Sequence, residues 1–388
     1  MPSNRSRSLA TSADVVVIGG GVIGLSTAYH LAAAGQRVVL LEKNALGEGS
    51  TCRAAGGVRG FFSDALNIEI GLRSLAVFER FGELFDTEID LHRSGYLFLI
   101  DNEADLVSFE QNVALHTSLG GESRMISVAE AVELSPLIDP RGLLGAAWSP
   151  RDGHCTPEAV VQGYARAARA AGATILPHCA ATGIEMEGDR IVAVTTEAGT
   201  ISTGTVVCAA GAWSAAIGSW VGVDLPVSPL RRQIAVTEPV AGLSPQTPFT
   251  IDFSTSFYFH GEGGGLLLGC SESTDSWSFD TTRDPAWLAD LAEVMENRVP
   301  ALGEVGIASG WAGLYEMTPD HNAVIGRSRT VPGFLYACGF SGHGFLMGPA
   351  VGEIVRDLCL GVEPTLDVSA LDVERFATTG GRRELNIV

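Results

Sequence analysis

The sequence predicts an α/β protein in which a doubly wound parallel sheet is interleaved with an antiparallel β-sheet and its helices. Three stretches carry that prediction. Residues 14–34 read as a strand, a glycine turn and a helix. Residues 206–214 repeat the strand-to-glycine step, and residues 229–269 change to antiparallel texture before a last strand-to-helix step at 333–360. Asp14 to Ile18 is mostly β-branched, as suits a strand buried on both faces. Gly19, Gly21 and Gly24 then stand at G-x-G-x-x-G spacing, and a helix runs from Val22 to Ala34 until Gly35 stops it. Gly19 turns the chain, Gly21 lets a pyrophosphate approach the backbone, and Gly24 packs helix on strand. The helix N-terminus adds unpaired N–H groups and a positive dipole end. A second strand, Val38 to Leu41, ends at Glu42, eighteen residues past Gly24 and placed to accept ribose hydroxyls. This is a Rossmann-like, dinucleotide-binding unit.

A second glycine-rich loop, Leu46 to Gly57, follows at once. It suits a long extended cofactor with a flat ring, which points to FAD and away from NAD as sole cofactor. The contact candidates in this half are Gly19, Gly21, Val22, Ile23, Gly24, Glu42, Lys43, Gly49, Ser50, Thr51, Arg53, Ala54, Gly56 and Gly57.

The 388 residues, 46% hydrophobic, suffice for two domains with a large core. Net charge is −20, which disfavours nucleic acid. Seven cysteines without a C-x-x-C pair suggest neither a disulfide framework nor a metal site, and fit a reducing, cytoplasmic setting. Residues 1–12 lack the apolar core of a secretory signal, and no run is long enough to span a membrane. Residues 1–12 and 377–388 are expected to be flexible tails.

In order, Asn67 to Phe85 reads as one amphipathic helix, 94–100 as a strand, and 103–119 and 128–134 as helices, with Pro136 as a break. Thr156 caps a helix over 159–170, with Pro157 in its first turn. Short strands follow at 174–176, 180–186, 190–196 and 200–202, with Gly188-Asp189 as a hairpin turn. The strand from Val206 enters a turn whose Ala210, Gly211 and Trp213 are further cofactor-contact candidates. Antiparallel strands are expected at 233–237, 249–252, 257–260 and 266–268, then a helix over 285–298 and a strand over 305–310. A final strand, 333–338, meets Gly339-Phe340-Ser341-Gly342-His343-Gly344-Phe345 and a helix to about residue 360. The expected cofactor domain is 13–92, 150–228 and 317–376, and the expected substrate domain is 93–149 and 229–316.

The opening fingerprint, Gly47–Gly57, Val206–Ser214, Gly313-Leu314-Tyr315-Glu316-Met317-Thr318-Pro319-Asp320 and the late G-F-S-G-H-G-F occur in this order in the D-amino-acid-oxidase superfamily of flavoproteins. The chain resembles that superfamily from about Asp14 to Phe376, and within it the branch of the sarcosine oxidase and dye-linked L-proline dehydrogenase β subunits. The resemblance implies FAD and the oxidation of a secondary or tertiary amino acid. A hydride equivalent would go to flavin N5, and water would hydrolyse the imine that is left. It also implies that Gly342, His343, Gly344 and Phe345 face the reduced flavin's negative charge. Arg59 matches an arginine that grips a substrate carboxylate, and Tyr258 and Tyr315 match substrate-pocket positions. Arg232, or its neighbour Arg231, is a weaker candidate.

Departures from the pattern carry information. Gly313 stands where a cysteine tethers FAD in monomeric sarcosine oxidase, so the FAD here is expected to be non-covalent. Pro157 falls near the histidine that tethers FMN in the heterotetrameric enzymes. Leu267 falls where monomeric sarcosine oxidase has the lysine that activates oxygen, and Leu346 where it has a carboxylate-binding lysine; losing both favours a dehydrogenase over an oxidase. The open alternatives are a D-amino-acid dehydrogenase or oxidase, against which Tyr315 counts because an arginine would match it, and a flavin-bearing subunit of a hetero-oligomer. A tRNA-modifying flavin domain is disfavoured by charge. The implied partners are a small amino acid or amine and an unidentified electron acceptor, with homo- or hetero-oligomeric assembly open.

Overall fold

The computed structural model describes residues 11–378 and 382–386, so the expected tail over residues 1–10 lies outside the described residues. The β-branched run Val15–Ile18 is fully buried at the centre of a six-stranded sheet. Its order is Val324–Arg327, Phe334–Cys338, Val206–Cys208, Val15–Ile18, Val38–Leu41 and Thr174–Leu176. All pairs are parallel except the first, which puts an antiparallel strand on one edge. In this register Ile18 is flanked by Cys208 on one side and Leu41 on the other. The turns after these three strands therefore open at one end of the sheet, where ligands bind in such folds.

Two helices on this sheet cross at very short range. A Cβ on Gly348 would lie 2.6 Å from Val22, and one on Gly352 would lie 2.1 Å from the Ser26 hydroxyl. The Val22–Ala33 and Gly344–Leu360 helices thus touch almost backbone to backbone, and the Ser26 hydroxyl donates to the Pro349 carbonyl. Gly24 has its expected packing role, because a Cβ there would sit 1.9 Å from the Gly19 carbonyl oxygen.

The second sheet has eight strands in the order Ile307–Met317, Ser228–Thr237, Gly265–Cys270, Phe257–Glu262, Phe249–Asp252, Tyr96–Ile100, Gly145–Ser149 and Arg124–Ile126. It is antiparallel apart from the pairing of Phe249–Asp252 with Tyr96–Ile100. A three-stranded meander over 181–202 and a short Gly57–Val58/Gly153–His154 pair complete the sheets. Among the described residues no helix is long and apolar enough to cross a membrane.

Several expectations need correction. The helix over 67–85 is two helices, Ala65–Glu79 and Phe81–Phe85, broken at Arg80; Asp64 starts the first by accepting from the Leu66 N–H. Thr156 holds the N-cap position of the Pro157–Ala170 helix, but its side chain makes no capping bond. The strand over 305–310 runs on to Met317 because Ser228–Thr237 pairs along its length, and this lifts Gly313 and Tyr315 onto the sheet. The short strands Arg124–Ile126, Gly145–Ser149 and Val324–Arg327 are not among those expected from the sequence. Over residues 382–386 the second expected tail is packed down, with Glu384 and Asn386 buried.

The helix–strand contact at Gly24 gives a direct test. Gly24→Ala should lower stability by about 1–3 kcal/mol, read as a fall in Tm by calorimetry. Gly261→Ala, where nothing lies within 4 Å of the added carbon, should leave Tm close to that of the parent.

Candidate functional site

Two cavities meet at the strand ends, sharing Val22, Ile23, Ser50, Thr51, Arg53 and Glu316 in their walls. The first lies over the glycine turns and encloses about 390 Å³. Gly19, Gly21, Glu42, Lys43, Gly49, Ala210, Gly211 and Trp213, all expected cofactor contacts, line it. Gly24 does not, because its role is packing. The Glu42 carboxylate accepts from the Gly20 N–H at 2.7 Å and the Asn44 N–H at 2.8 Å. A carboxylate offers about four acceptor positions, so capacity remains for ribose hydroxyls. Thr51 caps the first helix by accepting from the Val22 N–H at 3.1 Å. Lys43, the single lysine of the sequence, sets its ammonium 3.3 Å from the centre of the Trp213 ring. Phe279 stacks on the same ring at 5.3 Å. Phe279 arrives from the loop after the antiparallel sheet and carried no sequence signal.

These features fit FAD. The glycine cradle leaves room that side chains would fill, a helix N-terminus faces it, and an acid ends the second strand.

The loop 47–57 is fastened to the Ile307–Met317 strand. Ser50 donates to the Leu314 carbonyl at 2.7 Å, Arg53 to the Ala312 carbonyl at 2.7 Å, and Trp311 to the Arg53 carbonyl at 2.9 Å. Gly313 makes this approach possible, since a Cβ there would already touch Arg53 at 3.0 Å. Arg53 thus acts as a structural tie as well as a wall.

The second cavity brings together Ala54, Gly56, Gly57, Arg59, Tyr258, Gly313, Tyr315, Gly342, His343, Gly344 and Phe345, all singled out in the sequence. Arg232 also lines it. Arg231 does not, being paired with Glu272 at 2.8 Å and Asp284 at 3.4 Å. Three glycines make space for three tyrosines. Added carbons would meet the Tyr258 ring from Gly269 at 2.2 Å, the Tyr315 ring from Gly342 at 2.6 Å, and the Tyr96 hydroxyl from Gly57 at 1.9 Å. Tyr96 and Phe249 were missed in the sequence because they read only as core strand residues. Burial pushes the Tyr258 and Tyr315 phenols up, so both are neutral donors at ordinary pH.

Arg59 is 5% exposed, which removes a surface ion pair as its explanation. Its guanidinium lies 4.2 Å from the Phe62 ring centre and donates to the Phe61 carbonyl. One Nη donates to the Asn386 carbonyl at 2.7 Å and faces His343 Nε2 at 3.2 Å. Arginine can only donate, so His343 Nε2 is the acceptor and the ring is neutral. Burial, then the Arg59 charge, push its pKa down. His343 is therefore no substitute cation beside a flavin.

Glu316 lines both cavities and was named only inside a motif. Its carboxylate accepts from the Gly339 N–H at 2.9 Å, and burial pushes its pKa up to about 7. Leu346 lines the tyrosine cavity, whereas Leu267 and Pro157 line a third cavity beside His92 and His154. Among the described residues no cluster of three or more His, Cys, Asp or Glu could hold a metal ion.

A family model described as FAD dependent oxidoreductase (DAO) matches residues 14–358. The chain is 32% identical to mitochondrial sarcosine dehydrogenase of Mus musculus over 97% of its length, but spans only 42% of that protein. It is 30% identical to glycine oxidase of Bacillus licheniformis, covering 90% of this chain and 93% of that one. The solved L-proline dehydrogenase of P. horikoshii superposes with a TM-score of 0.91 at 32% identity, covering 97% of this chain and 100% of that one.

Glu316 predicts a pH dependence of stability. Its folded pKa, about 7, lies above its ordinary 4.5. The stabilising contribution of the protonated form is thus complete below about 4.5 and lost as pH rises through about 7. Glu316→Gln keeps an acceptor for Gly339 and removes the charge. Thermal unfolding should show it matching the parent near pH 4.5 and exceeding it by up to about 3 kcal/mol near pH 8.

Proposed function

For this chain, which belongs to the DAO family of FAD-dependent oxidoreductases, we propose the oxidation of a small secondary or tertiary amino acid to an imine, with electrons passed on to an acceptor other than oxygen. The observation that carries the reading is the buried Arg59 guanidinium set among Tyr96, Tyr258 and Tyr315 in one cavity. A bound flavin supplies the two-electron oxidation. What this chain's residues contribute is recognition and charge. Arg59 uses its Nη groups toward Phe61, His343 and Asn386, and its Nε makes no hydrogen bond among the described residues. It can therefore turn further donors toward a carboxylate. Arg232 lies 5.8 Å from the Tyr315 ring centre, but its charge is paired with Asp275 at 2.9 Å. A cation near the substrate nitrogen disfavours its ammonium form, so Arg59 favours the neutral amine that oxidation requires. The neutral phenols and neutral imidazole can donate or accept without adding charge.

Two finer readings follow. FAD is held without a covalent bond, because among the described residues no cysteine lines either cavity and the position at 313 is glycine. Burial also pushes the Cys52 thiol up to about 12. Acid precipitation of the yellow protein should then release all colour to the supernatant; colour kept in the pellet would refute the reading.

The dehydrogenase reading rests on the missing ammonium. Leu346, matched to the carboxylate-binding lysine of monomeric sarcosine oxidase, stands in the tyrosine cavity; Leu267, matched to its oxygen-activating lysine, lines the third cavity; and the only lysine of the sequence lies at Trp213. A cation at about 4 Å stabilises nascent superoxide by on the order of 4 kcal/mol at an effective dielectric of about 20. Its loss slows reoxidation by up to about a thousandfold. Substrate-reduced enzyme should therefore reoxidise slowly in oxygenated buffer and quickly with a dye or quinone, and Leu346→Lys should raise the oxygen rate. Parent enzyme that reacts with oxygen as fast as the amine reduces it would make this an oxidase.

A further inference from the structure

We propose that residues Arg382–Asn386 form a strap behind the substrate cavity, with Glu384 and the Asn386 carbonyl as positioning groups that hold Arg59 and His343. The proposal rests on Arg59 being the carboxylate grip.

Glu384 is 0% exposed and Asn386 1% exposed. A carboxylate leaves water only when its oxygens find partners. Glu384 Oε1 accepts from the Ser63 N–H at 3.0 Å, the Ser63 hydroxyl at 2.7 Å and the Asn386 N–H at 3.0 Å. Its Oε2 accepts from the Asn67 amide at 2.9 Å. The main chain is tied as well. The Glu384 N–H donates to the Asp320 carbonyl at 3.1 Å, the Leu385 N–H to the Ser63 hydroxyl at 3.0 Å, and the Asn322 amide to the Arg382 carbonyl.

The anchors are Ser63 in the loop after Arg59, Asn67 on the Ala65–Glu79 helix, and Asp320 and Asn322 in the loop after the Ile307–Met317 strand. The segment then delivers the Asn386 carbonyl to Arg59 at 2.7 Å, from the same nitrogen that faces His343 at 3.2 Å. That nitrogen is held between two fixed acceptors. Glu384 also places a negative charge near a guanidinium that burial would otherwise destabilise. None of the strap residues lines the tyrosine cavity, so the strap backs Arg59 without taking the substrate's place.

The test uses the full-length, FAD-loaded protein and propionate, a carboxylate it cannot oxidise as an amine. Propionate binding is followed by the shift of the flavin absorption band. Glu384→Ala should weaken propionate about tenfold or more, because the lost contacts are charge-assisted hydrogen bonds. Ser63→Ala, which removes one anchor, should act in the same direction but less. With substrate, KM should rise more than kcat falls. In an Arg59→Ala background Glu384→Ala should cause no further loss, since the two act as one unit. If Glu384→Ala and Ser63→Ala retain FAD and bind propionate like the parent while Arg59→Ala is weakened, the strap is refuted and the grip stands. If Arg59→Ala also binds like the parent, the grip reading falls and the strap's role falls with it. Should Glu384→Ala fail to fold, Ser63→Ala decides: unchanged binding overturns the proposal.

Discussion

The site depends on one steric constraint, the near contact of two helix backbones from opposite ends of the chain. Gly348 and Gly352 lie against Val22 and Ser26 with no room for a single added carbon. Because the helices cross so closely, the turn at Gly19–Gly24 and the turn at Gly339–Phe345 open into neighbouring cavity walls. A larger residue at either glycine would push the two turns apart. Cores do not absorb such displacements smoothly, since packed interiors resist even a methylene.

The same principle shapes the tyrosine-lined cavity. Glycines at 57, 269 and 342 are the space into which tyrosine side chains fit, so removing a side chain at one position places another precisely enough to form a wall. The loop 47–57 is held against the antiparallel sheet by bonds from Ser50, Arg53 and Trp311. Parallel and antiparallel sheets are thereby joined where the cavities meet, with Glu316 at the junction.

Much of this was legible in the amino-acid order because local rules and tertiary role agree. The G-x-G-x-x-G spacing, the β-branched strand before it and the acid at 42 each report one physical requirement, and the cavity collects nearly every residue they point to. What stayed hidden has physical reasons. Gly145–Ser149 is a strand of small residues apart from Trp148, held by neighbours on both sides and not by its own propensity. Tyr96 looks like any buried aromatic until Gly57 is seen beneath its hydroxyl. Glu384 sits in a polar, charged stretch that reads as solvated, and only long-range partners at 63 and 67 reveal that it is buried. His343 was legible as a site residue but not in its charge, which is set by an arginine 284 positions away.

Lys43 has a practical consequence. It is the only side-chain amine in the sequence, and it lies on an indole in the wall of the cavity over the glycine turns. Burial lowers its pKa, so more of it is present as the nucleophilic free base at a given pH. Amine-directed reagents would meet one internal target, and bound cofactor would shield it. The molecule thus carries one internal attachment point for a reporter dye, and on the proposed reading its labelling rate would fall as cofactor fills the cavity.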